Sequence, residues 1–241
     1  MIDFVHLHVH TQYSLLDGQA SVSALVDKAI ADGMKGIAVT DHGSMFAIKE
    51  FCNYVNKKNG PVNGEIKDLK KQLALLEKEE DSADRQERIA ECKAKLEEAK
   101  SRIFKPIIGC EMYVARRSMD KKEGKPDQSG YHLVVLAKNE KGYHNLIKLV
   151  SKAWTEGFYM RPRTDRVELE KYHEGLIVCT ACIAGEVPKN IIAGKYEEAE
   201  EAIQWYKRVF GDDFYLELQR HKATVPRANH EAYKLQQIAN E

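Results

Sequence analysis

The chain has 241 residues, enough for one large α/β domain or two small ones, and its 37 basic side chains are balanced by 37 acidic ones. This balance disfavours a strongly basic nucleic-acid-binding module acting alone. The absence of a membrane-length apolar run or a signal peptide, together with an odd number of cysteines, predicts a cytoplasmic protein with free thiols.

The N-terminal stretch carries three histidines that alternate with apolar residues. If this stretch is a strand, His6, His8 and His10 share one face. Neutral imidazole is a common ligand for zinc, iron and manganese, and the carboxylate of Asp17 follows in a polar turn. We predict metal binding by His8 and His10, with His6 deeper in the core or behind the ligands. The alternative is three ordinary histidines on a solvated face.

Helices and strands are then predicted to alternate, which favours parallel strands joined by right-handed crossovers. The spacing predicts a helix over Ser21–Asp32, a strand over Gly36–Thr40 and a helix over about Met45–Val55. Polar residues at the C-terminal ends of such strands face the active site. His42 follows the second strand, and its neighbour Asp41 could equally cap the next helix.

A different kind of segment follows the glycine- and proline-containing stretch 60–64, which we predict to end the preceding helix. Residues 65–102 are rich in Lys, Glu, Ala and Leu, with apolar residues stepping by three and four. We predict two antiparallel helices that form a hairpin inserted at residues 62–104, with Cys92 in their contact seam. A solvated spacer is favoured over a partner-binding surface.

The α/β pattern resumes after the hairpin, and its predicted elements run to the end of the chain. Strands are predicted over 105–114, 131–137, 175–182 and 213–219, helices around 146–154, over two segments between 183 and 210, and over 226–240, and loops over 116–130 and 158–165.

Polar residues at or near predicted strand ends form a mixed set of imidazole, carboxylate and thiol groups. Glu111 is the hardest to explain otherwise, because an unpaired carboxylate inside an apolar strand is costly. Such a set suits zinc or a manganese- or iron-type ion, and clustered metals support phosphoester hydrolysis. The predicted ligands are His8, His10, Asp17, His42, Glu111, His132 and Cys182.

Three further residues are candidates for contact with substrate. Arg161 and Arg163 lie in a predicted loop and could bind phosphate, although surface arginines usually have no specific role. His221 follows the last predicted strand, and contact with substrate or simple surface exposure are equally compatible with its position. Of these we single out Arg163 and His221 as predicted substrate-binding residues.

Four segments of this chain resemble the motifs of the PHP (polymerase and histidinol phosphatase) domain family. The resemblance is carried by 6–11 with 14–18, 40–43, 105–111 and 132–139. Further segments around 142–146, 156–163 and 175–186 look like the PHP domains of bacterial replicative DNA polymerases. The resemblance covers nearly all of residues 1–241 except the hairpin.

The resemblance implies a distorted seven-stranded β/α barrel with a metal cluster at the C-terminal strand ends, most simply of Zn²⁺, with Mn²⁺ or Fe as alternatives. It assigns the cluster to the same seven residues, and catalysis through bound metal to His8, His10, His42 and Glu111. The family's last motif, Asp-x-His, is missing before Glu241. We therefore expect a piece of a longer polymerase subunit, cut before the domain closes.

Three functions follow as expectations. The first is a replicative DNA polymerase subunit whose PHP domain is a metal-dependent phosphoesterase with 3′–5′ exonuclease activity, with DNA and other replicase subunits as partners. The second is a catalytically silent scaffold that stabilises the polymerase and docks a proofreading exonuclease subunit. The third is a free-standing phosphatase of the histidinol-phosphate type.

Overall fold

The computed structural model describes residues 4–219, 235 and 237–241, which form a mixed α/β fold. Within these residues one six-stranded sheet is present and does not close into a barrel. The strands are β1 (Gly36–Val39), β2 (Lys105–Val114), β3 (Tyr131–Ala137), β4 (Arg163–Thr164), β5 (Leu176–Cys179) and β6 (Phe214–Tyr215). The α-helices are α1 (Val22–Ala31), α2 (Ile48–Leu76), α3 (Ala83–Ser101), α4 (Glu140–Thr155), α5 (Arg166–Lys171), α6 (Glu186–Ile192) and α7 (Tyr196–Phe210).

The sheet is mixed, so the prediction of parallel strands was wrong for its centre. β3 is antiparallel to both β2 and β5, while β4 runs parallel to β2 and β6 runs parallel to β5. The loop between β2 and β3 contains only a short 3₁₀ turn, so it can return the chain antiparallel without a crossover helix. As a result His132, at the start of β3, lies opposite Tyr113, near the end of β2.

The chain divides into two compact units. The first contains Ala20–Ile37 and Ile48–Pro106, and the second contains Leu7–Gln19, Ala38–Ala47 and the chain from Ile107 onward. In the first unit, α1 starts as predicted, because the Ser21 hydroxyl accepts a hydrogen bond from the Ala24 N–H.

Helix α2 runs without a break through Gly60 and Pro61, so the predicted helix end near Val55 was wrong. Proline in a helix interior removes one backbone hydrogen bond and costs about 3 kcal/mol or more. Tertiary contacts offset this cost. The buried Asn59 side chain donates to the Phe104 carbonyl at 2.8 Å and accepts from the Phe104 N–H at 3.0 Å.

Helices α2 and α3 pair antiparallel, as predicted for the hairpin. Cys92 is buried against α2, with its Sγ 3.4 Å from the Leu69 carbonyl, which confirms its place in the contact seam. An ion pair joins Arg102, just after the C-terminal end of α3, to Glu65 of α2 at 2.6 Å. That residues 62–104 are an insertion into the domain remains a prediction, since α2 already begins at Ile48.

The second unit is built around the sheet, and both sheet faces are covered. Side chains alternate along β2 and β3, so Met112 and Leu133 pack on one face against α4 and α7, in the larger apolar core. Val134 and Leu136 belong to a smaller cluster on the other face. Glu111 is paired with Val134 and therefore points to this second face.

The later elements follow the sequence prediction with differences in length. Strands β5 and β6 are shorter than predicted, α5 was not predicted, and most of the helix predicted over 226–240 lies outside the described residues. None of the helices described here combines the length and the apolar character needed to span a bilayer.

Candidate metal centre

Residues 4–10 form no β-strand, so the predicted strand is not found in this part of the chain. Within residues 4–10, Val9 pairs with Thr40: the Thr40 N–H donates to the Val9 carbonyl at 2.9 Å, but the Val9 N–H donates to the Thr40 side-chain oxygen at 2.8 Å. A side chain thus takes the place of a ladder carbonyl, and the pairing does not extend. His6 is exposed, so the prediction of a core or supporting role for it was wrong.

Glu111 is the centre of the candidate site. Its side chain is 1 % exposed and meets four imidazoles. Burial by itself would raise the pKa of this carboxyl, but the surrounding histidines outweigh it and hold the pKa far below the usual range. The contacts are His8 Nε2 at 3.3 Å and His132 Nδ1 at 2.9 Å from Oε1, and His10 Nε2 at 3.0 Å and His42 Nδ1 at 2.8 Å from Oε2.

Hydrogen bonds at the far side of His10 fix which nitrogen of its ring carries the proton. Ser14 Oγ lies 2.9 Å from Asp41 Oδ1 and 2.8 Å from His10 Nδ1. The carboxylate only accepts, so it takes the serine proton, and His10 Nδ1 must then donate to the serine oxygen. The lone pair of His10 therefore sits on Nε2, the nitrogen that faces Glu111.

His8 is oriented in the same way by a residue far along the chain. Its Nδ1 lies 2.7 Å from Glu217 Oε1, and the Gln219 amide also donates to that carboxylate, at 2.7 Å. Nδ1 therefore donates and Nε2 faces inward, 3.3 Å from His10 Nε2. Burial lowers the pKa of His8, but Glu111 and Glu217 outweigh it and raise the pKa to about 10. In the metal-free protein a proton thus supplies the positive charge that this cluster demands.

His42 lies between two carboxylates, those of Asp17 and Glu111. Its Nε2 lies 2.7 Å from Asp17 Oδ2 and its Nδ1 lies 2.8 Å from Glu111 Oε2. Burial lowers the pKa of His42, but Glu111 and Asp17 outweigh it and raise the pKa. His42 Nδ1 and Glu111 Oε2 are both fully buried, so their pairing needs a positive charge, which a proton or a metal ion can supply. A carboxylate buried among four imidazoles is costly unless positive charge is present, and a bound cation would remove that cost. The residues present therefore fit a metal.

Cys182 completes one side of the cluster. Its Sγ lies 3.6 Å from His132 Nδ1 and 3.8 Å from Glu111 Oε1, in the turn that follows β5. Burial raises the pKa of this thiol to about 12, so the thiolate needs a cation beside it. The seven predicted ligands thus come together. Three overlapping groups have ligand atoms within 4.8 Å of one another: His8, His10 and Glu111; His10, Asp17 and His42; and His42, Glu111 and His132.

Two carboxylates that support the candidate site, Asp41 and Glu217, were not among the predicted ligands. Asp41 does not cap α2, which begins at Ile48; it is buried and accepts from the Thr11 N–H at 2.7 Å and the Thr11 hydroxyl at 2.8 Å. Glu217 follows β6, and its N–H donates to the Thr180 hydroxyl at 2.9 Å. The alternating pattern of 213–219 was the only sequence signal that could have suggested an inward-facing Glu217.

The prediction that Arg163 binds substrate was wrong, because its side chain is fully buried. The guanidinium donates to three backbone carbonyls, those of Gly157 at 3.1 Å, Met119 at 2.9 Å and Lys121 at 3.0 Å. Arg163 therefore fastens the surrounding loops. Arg161 instead lines a cleft of about 680 Å³ that opens beside His42 and His132. His221 lies outside the described residues.

Fold and site together define an α/β domain with a candidate metal centre on one face of its sheet. Residues 6–221 match the PHP domain family, and the chain belongs to that family. The chain is similar to "DNA polymerase III subunit alpha" of Borreliella burgdorferi (44 % identity over 219 residues, 90 % of this chain), of Treponema pallidum (37 % over 222 residues, 91 %) and of Aquifex aeolicus (35 % over 223 residues, 90 %). It spans only about 15 % of the length of each of these relatives.

Proposed function

We propose that this chain is the PHP domain of a replicative DNA polymerase of the DNA polymerase III alpha type, and that the domain itself hydrolyses phosphoesters of DNA as a metal-dependent 3′–5′ exonuclease. The printed name of the relatives supports the first part. The observation that carries the second is the buried carboxylate of Glu111 with four imidazoles around it, in overlapping groups of potential metal ligands. A cytoplasmic location and a closed seven-stranded barrel in the intact protein belong to the same proposal.

Zn²⁺ is the proposed metal, with Mn²⁺ or Fe as alternatives, because imidazole and thiolate ligands together favour zinc. His8, His10, Asp17, His42, Glu111, His132 and Cys182 would hold it, in more than one site. Ions bound there lower the pKa of water and neutralise charge on phosphate oxygens.

The protein's own contribution is to orient the imidazole rings and to place the Glu111 carboxylate between them. Each oxygen of Glu111 lies beside imidazoles of different histidines, so each could contribute, together with those imidazoles, to holding a metal. Glu217 and Ser14 hold the His8 and His10 rings with Nε2 inward. Such supporting hydrogen bonds fix the tautomer of a ligand and raise its basicity.

The test compares metal content and nuclease activity of the intact protein with those of His8→Ala and Glu111→Gln variants. We expect both variants to lose bound metal and 3′–5′ hydrolysis of single-stranded DNA. His144→Ala is the matched control, since His144 is an exposed imidazole on α4. Unchanged metal content and hydrolysis in the first two variants would contradict the proposal.

A second candidate is a silent scaffold that docks a proofreading exonuclease subunit and other replicase subunits. The observation in its favour is the α2–α3 pair, whose outward faces are largely exposed and charged. Under this reading the intact protein holds metal without hydrolysing DNA. Shortening both helices by matched turns would then weaken partner binding in a pull-down.

A further inference from the structure

Three aromatic side chains form one wall of the cleft beside the candidate metal centre. The Trp154 ring stacks on the Phe158 ring with centroids 5.6 Å apart and an interplanar angle of 21°, and the Phe46 ring lies 6.0 Å from Trp154. Phe46, Trp154 and Phe158, here called the aromatic platform, are 64 %, 42 % and 45 % exposed. Large apolar rings left this exposed at the edge of a cleft mark a binding surface.

The platform is fixed directly to the candidate metal centre. The Trp154 indole N–H donates to the Gly43 carbonyl at 2.7 Å, and Gly43 directly follows His42 in the chain. Trp154 is also on helix α4, whose buried face packs in the protein. The helix and the hydrogen bond to Gly43 together fix the position of the indole ring. The distance between the platform and the candidate ligands is thus set by the fold.

A cation lies in the same cleft. The Arg161 guanidinium sits 5.7 Å from the centroid of the Tyr113 ring, and the Tyr113 ring contacts the rings of His42 at 6.0 Å and His132 at 5.1 Å. Arg161 is exposed, unlike the buried Arg163 two residues later. One cleft therefore presents flat apolar rings, a guanidinium and candidate metal ligands.

We propose that this cleft binds the unpaired 3′ end of a DNA strand, with a base stacked on the aromatic platform and a phosphate directed at Arg161 and the candidate metal ligands. This inference rests on the proposed function and names the residues outside the candidate metal centre that would bind its substrate. A nucleotide combines a flat π-face with an anionic phosphate in one unit, so it matches both the aromatic platform and Arg161. An apolar peptide would match the platform but would leave Arg161 and the candidate metal ligands without an anion. Bases inside a duplex are already stacked, so the platform selects single-stranded ends.

The first test is photo-crosslinking in the intact protein with a metal chelator present, so that binding is separated from hydrolysis. The probe is a single-stranded oligonucleotide with 5-iodouracil at its 3′ end. After irradiation and tryptic digestion, we expect the crosslinked peptide to be Ala153–Arg163, which contains Trp154 and Phe158. Crosslinks found only in other peptides would overturn the inference.

Variants sharpen the test. We expect Trp154→Ala to abolish the crosslink and to raise the KM for single-stranded DNA about 5- to 100-fold with little change in kcat, since stacking contributes to binding. Trp154→Phe keeps a ring and should restore most of the binding. Phe46→Ala, at an exposed loop position, should weaken binding without any risk to the core. The control is Trp205→Phe, because Trp205 is only 8 % exposed in the apolar core.

The outcomes separate this inference from the proposed function. A crosslink at the platform in a protein that neither holds metal nor hydrolyses DNA would support the inference and sink the exonuclease. If hydrolysis is metal-dependent but its KM is unchanged in both Trp154→Ala and Phe46→Ala, the exonuclease proposal would be supported and the inference about the cleft would be overturned. The cleft would then be assigned to another occupant, such as an apolar peptide.

Discussion

Two buried serines near the candidate metal centre offer a matched test of how its histidines are oriented. The Ser14 hydroxyl makes three contacts: with Asp41 Oδ1 at 2.9 Å, with His10 Nδ1 at 2.8 Å and with the His42 N–H at 3.0 Å. Ser44 is 3 % exposed, and its hydroxyl has no hydrogen-bond partner among the described residues. Replacing each by alanine removes one oxygen atom with opposite expected consequences.

The magnitude for Ser14→Ala follows from its three partners. A hydrogen bond to a charged group contributes about 1.5–3 kcal/mol and a neutral one about 0.5–1.5 kcal/mol. Because the three bonds share one hydroxyl and water can partly replace them, we expect a loss of about 3 kcal/mol in the free energy of unfolding. Removing the unbonded Ser44 hydroxyl should change this free energy by less than about 0.5 kcal/mol or stabilise the protein, since it deletes a buried unsatisfied group.

Metal affinity should separate the two variants as well. Without Ser14 nothing holds the proton on His10 Nδ1, so the ring can present the wrong nitrogen to the metal. Loss of such a supporting partner typically lowers metal affinity 10- to 100-fold. The assays are urea unfolding in the presence of a chelator and Zn²⁺ titration against a chromophoric competitor. Equal effects of Ser14→Ala and Ser44→Ala on both readouts would refute the reasoning.

Further predictions concern the hairpin, the buried arginine and pH. Asn59→Ala removes both hydrogen bonds to the Phe104 backbone and should lower the free energy of unfolding by about 3 kcal/mol, as measured by denaturant titration. Asn56 is exposed on the same helix, so Asn56→Ala should leave this free energy unchanged. Equal losses in the two variants would argue against a stabilising role for the Asn59 hydrogen bonds. The lysine in Arg163→Lys cannot reach all three carbonyls, so this variant should lose about 2–3 kcal/mol in the free energy of unfolding. Arg161→Lys should stay within about 0.5 kcal/mol of the parent protein. Thermal unfolding of both variants checks this, and the opposite ranking would contradict the structural role given to Arg163. The pKa of His8 is raised from 6.5 to about 10 in the metal-free protein, so its contribution to stability is fully present below about pH 6.5 and is lost as pH rises toward 10. Chelated protein should therefore lose at most about 5 kcal/mol over that window, and His8→Gln should flatten the slope in pH-dependent unfolding; an unchanged slope would contradict it.

Much of the fold was predictable where a local signal agreed with the tertiary structure. Strands β2 and β3 were predicted at their observed bounds, because each is a strongly apolar run flanked by polar or glycine-containing segments. The continuity of α2 was not predictable. Gly60 and Pro61 signal a break locally, and the Asn59 bonds that favour the helix come from a residue 45 positions later.

The candidate site shows the same division. Histidines beside apolar residues and Glu111 inside an apolar strand stand out in the sequence, and the structure brings the predicted ligands together. The partners of these ligands did not stand out. Asp41 looks like an ordinary helix cap until the fold places Thr11 against it, and Glu217 is 209 positions from the His8 ring that it orients. Direction of strands also escaped prediction, because nothing local distinguishes an antiparallel return from a crossover.

The hydrogen bond between His8 and Glu217 has a consequence for synthesis on the ribosome. At about 5–20 residues per second, the carboxylate that orients His8 appears roughly 10–40 s after the imidazole itself. Residues 4–10 belong to no β-strand that could hold them during that delay. The first of these side chains to emerge is therefore among the last to be set in place, and nascent chains shorter than 217 residues should bind metal poorly even though most of the ligands are already present.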